Sequence, residues 1–100
     1  MEIKKSIDKR TLTVQIIGEV DSVTSPILES SLKADINKVD NLILDLDQCT
    51  YVSSAGLRIF LAARKHLSTD NEMTIINASP SVMDVLELTG FTKILNIEKK

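Results

Sequence analysis

The chain is predicted to form an α/β fold, a mixed and mostly parallel sheet of four to five strands with crossover helices in the order β-β-α-β-α-β-α-β. Three observations carry this. Short β-prone runs alternate with stretches of helical period. The segment Leu42-Ile43-Leu44-Asp45-Leu46 is nearly continuously apolar, as a strand covered on both faces or central in a parallel sheet is. Ser25-Pro26 and Ser79-Pro80 each offer an N-cap followed by proline at the first helical position. Helices joining successive later strands call for right-handed connections.

Taken in order, residues 3–7 and 12–17 are β-prone runs separated by Asp8-Lys9-Arg10-Thr11. Leu12, Val14 and Ile16 alternate with Thr11, Thr13 and Gln15, so the pair reads as a hairpin. Gly18-Glu19-Val20-Asp21 ends the second strand. Leu28, Leu32 and Ile36 recur every four residues and give the first helix, opened by Ser25-Pro26, its apolar stripe. The strand at 42–46 leaves through a turn at Asp47-Gln48-Cys49-Thr50. A second helix is expected over about 55–67, broken by Ser68-Thr69-Asp70-Asn71. Residues 72–77 form the next strand, and Val82, Val85, Leu86 and Thr89 mark a third helix that stops at Gly90. Residues 94–97 make a last, edge strand.

The 100 residues, 43% hydrophobic and 26% charged, fit one domain spanning 1–100 with a core of its own. A net charge of −2, with three aromatics and no basic run, argues against direct binding of nucleic acid. Cys49 is the single cysteine, so no internal disulfide can form; Met1-Glu2-Ile3-Lys4-Lys5 lacks the apolar core of a signal peptide. A reducing cytoplasm is the expected compartment. No apolar run approaches the roughly 20 residues that span a bilayer, so no direct membrane insertion is expected.

The chemistry is expected at Val52-Ser53-Ser54-Ala55-Gly56-Leu57, where two adjacent hydroxyls meet the start of the second helix. Backbone N–H groups and the helix dipole favour negative charge there, which makes a serine at this position a good site for a phosphoryl group. At about 100° per residue, Gly56, Ile59, Phe60, Ala63 and Leu67 share one stripe, the expected core face. Leu57 and Leu61 fall off it, near Ser54 and Arg58, and suggest an apolar patch recognised by another protein. The alternative is that both leucines pack beneath a neighbouring helix while Ser53 or Ser54 only caps this one. Gly56 either lets the helix approach the sheet or accommodates the turn.

A nucleophilic hydrolase lacks support: there is no G-x-S-x-G elbow, and the single histidine, His66, lies about 18 Å from Ser54 along the same helix. One histidine and one cysteine are too few for a metal site, and Gly18 with its flanks resembles no phosphate cradle, so no metal or cofactor is expected. Asp21 ends a strand whose loop clusters with that of Ser53. It either orients the Ser54 hydroxyl or an incoming metal–nucleotide, or it is an Asx-turn or cap before the first helix.

Together, Gly18-Glu19-Val20-Asp21, Leu42-Ile43-Leu44-Asp45-Leu46 and Val52-Ser53-Ser54-Ala55-Gly56-Leu57, in register with Ser79-Pro80 and Gly90-Phe91, resemble the STAS domain of bacterial anti-sigma factor antagonists. The resemblance covers essentially the whole chain. It implies a non-enzymatic partner-switching module in transcription regulation. In that family a serine in Asp-Ser-Ser/Thr-Gly-Leu is phosphorylated by an anti-sigma factor that is itself a serine kinase, and a serine phosphatase reverses the step. Aligning Gly56-Leu57 on the family's Gly-Leu puts Ser54 on the phosphoacceptor, Ser53 on the preceding acid and Ala55 on the second hydroxyl residue. Asp21, Ser53, Ser54, Gly56, Leu57, Arg58 and Leu61 are then the expected partner-binding residues. The other reading is a constitutive, unphosphorylated STAS interaction subunit of a signalling assembly or a membrane transporter. Two departures stand out: Ser53 replaces the usual Asp, and Lys100 directly follows the last expected strand, where many relatives carry a further helix.

Overall fold

The structure, a computed structural model, describes residues 1–99. Strands β1 (Glu2–Asp8) and β2 (Thr11–Val20) precede helix α1 (Ser25–Asp35). Strands β3 (Asn41–Asp45) and β4 (Cys49–Val52) lead to helix α2 (Ser54–His66), and strand β5 (Met73–Ala78), helix α3 (Pro80–Leu88) and strand β6 (Asn96–Lys99) follow. Short 3-10 turns at Ile36–Lys38 and Phe91–Lys93 follow α1 and α3. The sheet runs β1-β2-β3-β5-β6, with β4 paired to β2 off this path. The β1–β2 pair is antiparallel and the other pairs are parallel, the mixed and mostly parallel sheet expected.

One strand was not foreseen. Residues 47–50, expected as a turn, hold the start of β4, whose Cys49, Tyr51 and Val52 pair with Gly18, Glu19 and Val20. The long β2 thus serves two neighbours: residues 11–15 pair with β3 and residues 18–20 with β4. Gly18 stands between the two registers at φ +102, and its N–H donates to the Gln48 carbonyl at 2.9 Å. Glycine suits that left-handed hinge, which also carries a register shift.

From β2 through β3 and β5 to β6 the path advances in one direction, so right-handed crossovers place all three helices on one face of the sheet. The burial pattern agrees. Leu12, Leu42 and Met73 sit side by side across the sheet, as do Val14, Leu44 and Ile75, and all are buried. Leu28 and Leu32 of α1, Phe60 and Ala63 of α2, and Val82 and Leu86 of α3 close over them, each large side chain contributing about 1.5–3 kcal/mol of burial. On the opposite face Thr13, Ile43, Asp45, Thr74 and Ile76 are half-buried. Of the two readings of the apolar run at 42–46, β3 therefore realises the central parallel strand, not burial on both faces.

The start of α1 differs from expectation. Ser25 is buried and its hydroxyl donates to the Asp21 carbonyl, while Thr24 occupies the cap position and makes no side-chain cap bond into the helix. The turn before it is itself capped: Asp21 Oδ1 accepts the N–H groups of Val23 and Thr24, each at 2.9 Å, and Thr24 Oγ1 accepts the Asp21 N–H at 2.9 Å. This reciprocal pair satisfies donors one turn earlier than Ser25 would. The Ser79 cap holds as expected, accepting Val82 N–H at 3.3 Å, and Gly90 ends that segment in the left-handed region at φ +79. The last strand begins at Asn96, two residues later than expected, because a 3-10 turn intervenes.

The hairpin turn is built from Lys9 at φ 48 and Arg10 at φ 67. Two left-handed residues match the twist of the flanking strands but suit Asn and Gly better than long side chains. Arg10 compensates by tying the turn to β3: its guanidinium donates two bonds to Asp40, at 2.8 and 3.0 Å, and its carbonyl accepts from Asp40 and Asn41.

Helix α2 lies hard against the sheet. A Cβ on Gly56 would stand 2.7 Å from Val20 Cγ1 and 3.0 Å from Val52 Cγ1, so the glycine is required by close approach.

Two stability measurements follow from this packing. Gly56→Ala gains about 1 kcal/mol of helix propensity but overpacks two buried valines, at a cost of about 1–3 kcal/mol; urea unfolding is expected to show net destabilisation, and a gain would contradict the close approach. Lys9→Asn is expected to stabilise the protein by about 0.5 kcal/mol by easing the left-handed turn while leaving Arg10–Asp40 in place, whereas a loss would mean that Lys9 carries a contact the turn needs.

Candidate functional site

The site is assembled where parallel strands end. Val20 and Val52 are register partners, and the Ser53 N–H donates to the Val20 carbonyl at 2.8 Å, so the Asp21 loop and the Ser53-Ser54 step leave the sheet side by side. Ser53 has extended backbone (φ −87, ψ 175), and its Oγ accepts the Gly56 N–H at 3.4 Å, making it the N-cap of α2. Ser54 is the first helical residue and is exposed. Its hydroxyl bonds no side chain or backbone group among the described residues. The two serines therefore differ: Ser53 is half-buried and turned into the helix, and Ser54 faces outward with its oxygen free.

Asp21 does not reach Ser54 by a hydrogen bond. Its carboxylate is occupied by its own turn, with the Thr24 N–H foremost among the bonds that hold it below the usual carboxylate range, although partial desolvation opposes the shift. Of the two readings of Asp21, the geometry realises the capping one. No acid lies in the first turn of α2.

The expected apolar border is altered. Leu57 is 7% exposed and belongs to the core, and Leu61 is half-buried against it. Gly56 is buried and faces the valines of β2 and β4, so it too offers no outer surface. The buried face of α2 runs through Gly56, Leu57, Phe60 and Ala63 and is turned toward Leu57, so that Ile59, expected on the core face, is only half-buried. Arg58 stays exposed. It borders a shallow groove of about 350 Å³ shared with Ser22, Pro26, Ala55 and Ala62. Exposed apolar side chains near this end come instead from Val23 (77%) and Ile27 (56%). Sequence reasoning missed both; the available signal was that Ile27 lies off the Leu28–Leu32–Ile36 stripe.

The remaining candidates are structural. His66 is exposed at the far end of α2 and pairs with Asn37 Oδ1. Cys49 is buried, its thiol pushed up by burial, and lies 3.5 Å from the Tyr51 carbonyl. Among the described residues no three of His, Cys, Asp and Glu gather as a metal site, and no helix is long and apolar enough to cross a membrane.

Comparison with known proteins agrees with this architecture. BtrV of Bordetella bronchiseptica is 35% identical over 82 residues, covering 80% of this chain and 71% of the relative. An anti-sigma-B factor antagonist of Listeria monocytogenes is 28% identical over 100 residues, covering 98% and 87%. The crystal structure of an anti-sigma factor antagonist from Mycobacterium paratuberculosis superposes with a TM-score of 0.91 at 24% identity, covering 99% and 86%. The phosphorylated form of the Bacillus cell fate determinant SpoIIAA superposes at 0.75 with 16% identity, covering 96% and 90%. The family model of the STAS domain matches residues 2–100, and with that match and this fold the chain belongs to the STAS-domain family.

Proposed function

We propose that this protein is an anti-sigma factor antagonist: unmodified, it binds an anti-sigma factor and frees the sigma factor, and phosphorylation of Ser54 ends that binding. The observation that carries the reading is the contrast between the two serines, since Ser53 is engaged as the cap of α2 and Ser54 presents an unbonded, exposed hydroxyl at its first residue. The name of the Listeria relative supports the role, and the phosphorylated SpoIIAA structure supports a fold that tolerates the modification.

The partner is an anti-sigma factor with serine kinase activity. It transfers the γ-phosphoryl group of ATP: an O–P bond forms to Ser54 Oγ, the bond from Pγ to the bridging oxygen breaks, ADP leaves, and the hydroxyl proton passes to a base of the kinase. A serine phosphatase hydrolyses the ester and restores the hydroxyl. This chain performs no catalysis of its own and acts in the cytoplasm, where sigma factors work. The contact surface comprises Ser54, Arg58 and the exposed edge of Leu61, extended by Val23 and Ile27 from α1 and the loop before it. Gly56 and Leu57 shape that surface from beneath, and Ser53 and Asp21 cap the two turns that present it. A phosphoserine brings about −1.5 to −2 charge and three acceptor oxygens to this apolar neighbourhood, enough to oppose an interface built for the neutral hydroxyl.

Incubation with the cognate anti-sigma kinase, ATP and Mg²⁺, read by intact-mass and peptide mass spectrometry, tests the assignment. One phosphate is expected on wild type and on Ser53→Ala and none on Ser54→Ala; phosphate that persists in Ser54→Ala, or its absence from wild type with a kinase shown to be active, contradicts the proposal.

A further inference from the structure

Arg58 is the cation nearest in sequence to Ser54 on α2, and it is uncommitted. It is exposed, and among the described residues it has no hydrogen-bond or ion-pair partner. It lies four residues after Ser54, so the two share one helical face about 5–6 Å apart at Cβ. Helical side chains lean toward the N-terminus, so the guanidinium has the reach to close over the turn that holds Ser54, while in the unmodified protein it borders the groove shared with Ala55 and α1. The Asp21 carboxylate accepts bonds from its own turn, and Glu29, which lines the same groove, makes an exposed 3.9 Å contact with Lys33 and forms no ion pair with Arg58. Ser53 stands where a carboxylate cap would compete for the arginine, and the first turn of α2 holds no acid.

We infer that Arg58 is the receiver of the Ser54 phosphoryl group, forming an intrahelical charge-assisted pair once Ser54 is modified. The inference rests on the reading of Ser54 as the phosphorylated residue. Its consequence is that phosphorylation changes the surface at two positions. It adds a dianion at Ser54 and folds onto it a guanidinium that the unmodified protein presents to partners, because a planar fork of N–H donors matches the phosphate oxygens. The phosphorylated protein therefore loses a positive contact as well as gaining negative charge.

The test installs phosphoserine at position 54 during translation, so that no kinase is required, and titrates the intact protein by ³¹P NMR. Arg58 favours the dianion, so the second phosphate ionisation is expected to lie roughly 0.15–0.35 unit lower in the wild-type background than in Arg58→Gln, about a 1.4- to 2.2-fold difference in proton affinity, with Arg58→Lys between them. Superimposable titrations of the wild type and Arg58→Gln would overturn the inference. Matching unfolding temperatures of the unmodified proteins establish that the exposed substitutions leave the fold intact. Because the phosphate is installed directly, this result is independent of whether a kinase modifies Ser54, and failure of the two ideas is told apart.

Discussion

The close approach of α2 to β2 and β4 at Gly56 sets the geometry of everything near the site. With no side chain between the helix and the valines at 20 and 52, the first turn of α2 is pressed onto the ends of two paired strands. The Ser53 N–H then reaches the Val20 carbonyl, its hydroxyl falls into the capping position, and Ser54 is left as the first residue with a free outward oxygen. Leu57 is buried beside Gly56. The dual pairing of β2, which turns from β3 to β4 at Gly18, supplies the platform on which this rests.

That arrangement separates the energetics of the fold from those of the surface. A phosphate at a helix N-terminus meets unpaired N–H groups and the positive end of the dipole, so the helix accepts it. An approaching protein meets it as a new charge that must be desolvated, which is costly without a cation supplied in return. The core, concentrated between one sheet face and three helices, lies beneath and does not take part. A switch placed here can alter binding without requiring the domain to refold, and bonds of Asp21 and Ser53 cap the two neighbouring turns.

Much of this was legible from residue order. Alternation in residues 12–16 exposed the hairpin, the four-residue spacing of Leu28, Leu32 and Ile36 exposed α1, and Ser79-Pro80 with Gly90 bounded α3 closely. The Ser53-Ser54 step was legible because a hydroxyl pair before a helical pattern is a local signal. What escaped depends on non-local contact. Strand β4 is short and polar at Thr50, and only its pairing with the far end of β2 makes it a strand. Leu57 looked outward because a helical wheel gives the spacing of residues and not the angle at which the helix meets the sheet; the buried face turns toward Leu57 and leaves Ile59 half-buried. The Ser25 cap was misplaced because the Ser25 hydroxyl turns back to the Asp21 carbonyl, and Asp21 and Thr24 close the turn that follows the end of β2. The open sheet face was hidden for a similar reason, since an apolar run alone does not tell one covered face from two.

The most direct measurement of the central claim is the affinity of the cognate anti-sigma factor for the unmodified protein and for the protein carrying phosphoserine at position 54, by isothermal titration calorimetry at fixed ionic strength. The account expects a loss of at least about tenfold, or 1.4 kcal/mol, on phosphorylation, with the unfolding temperature little changed. Equal affinity of the two forms would contradict it and would leave Ser54 without a switching role.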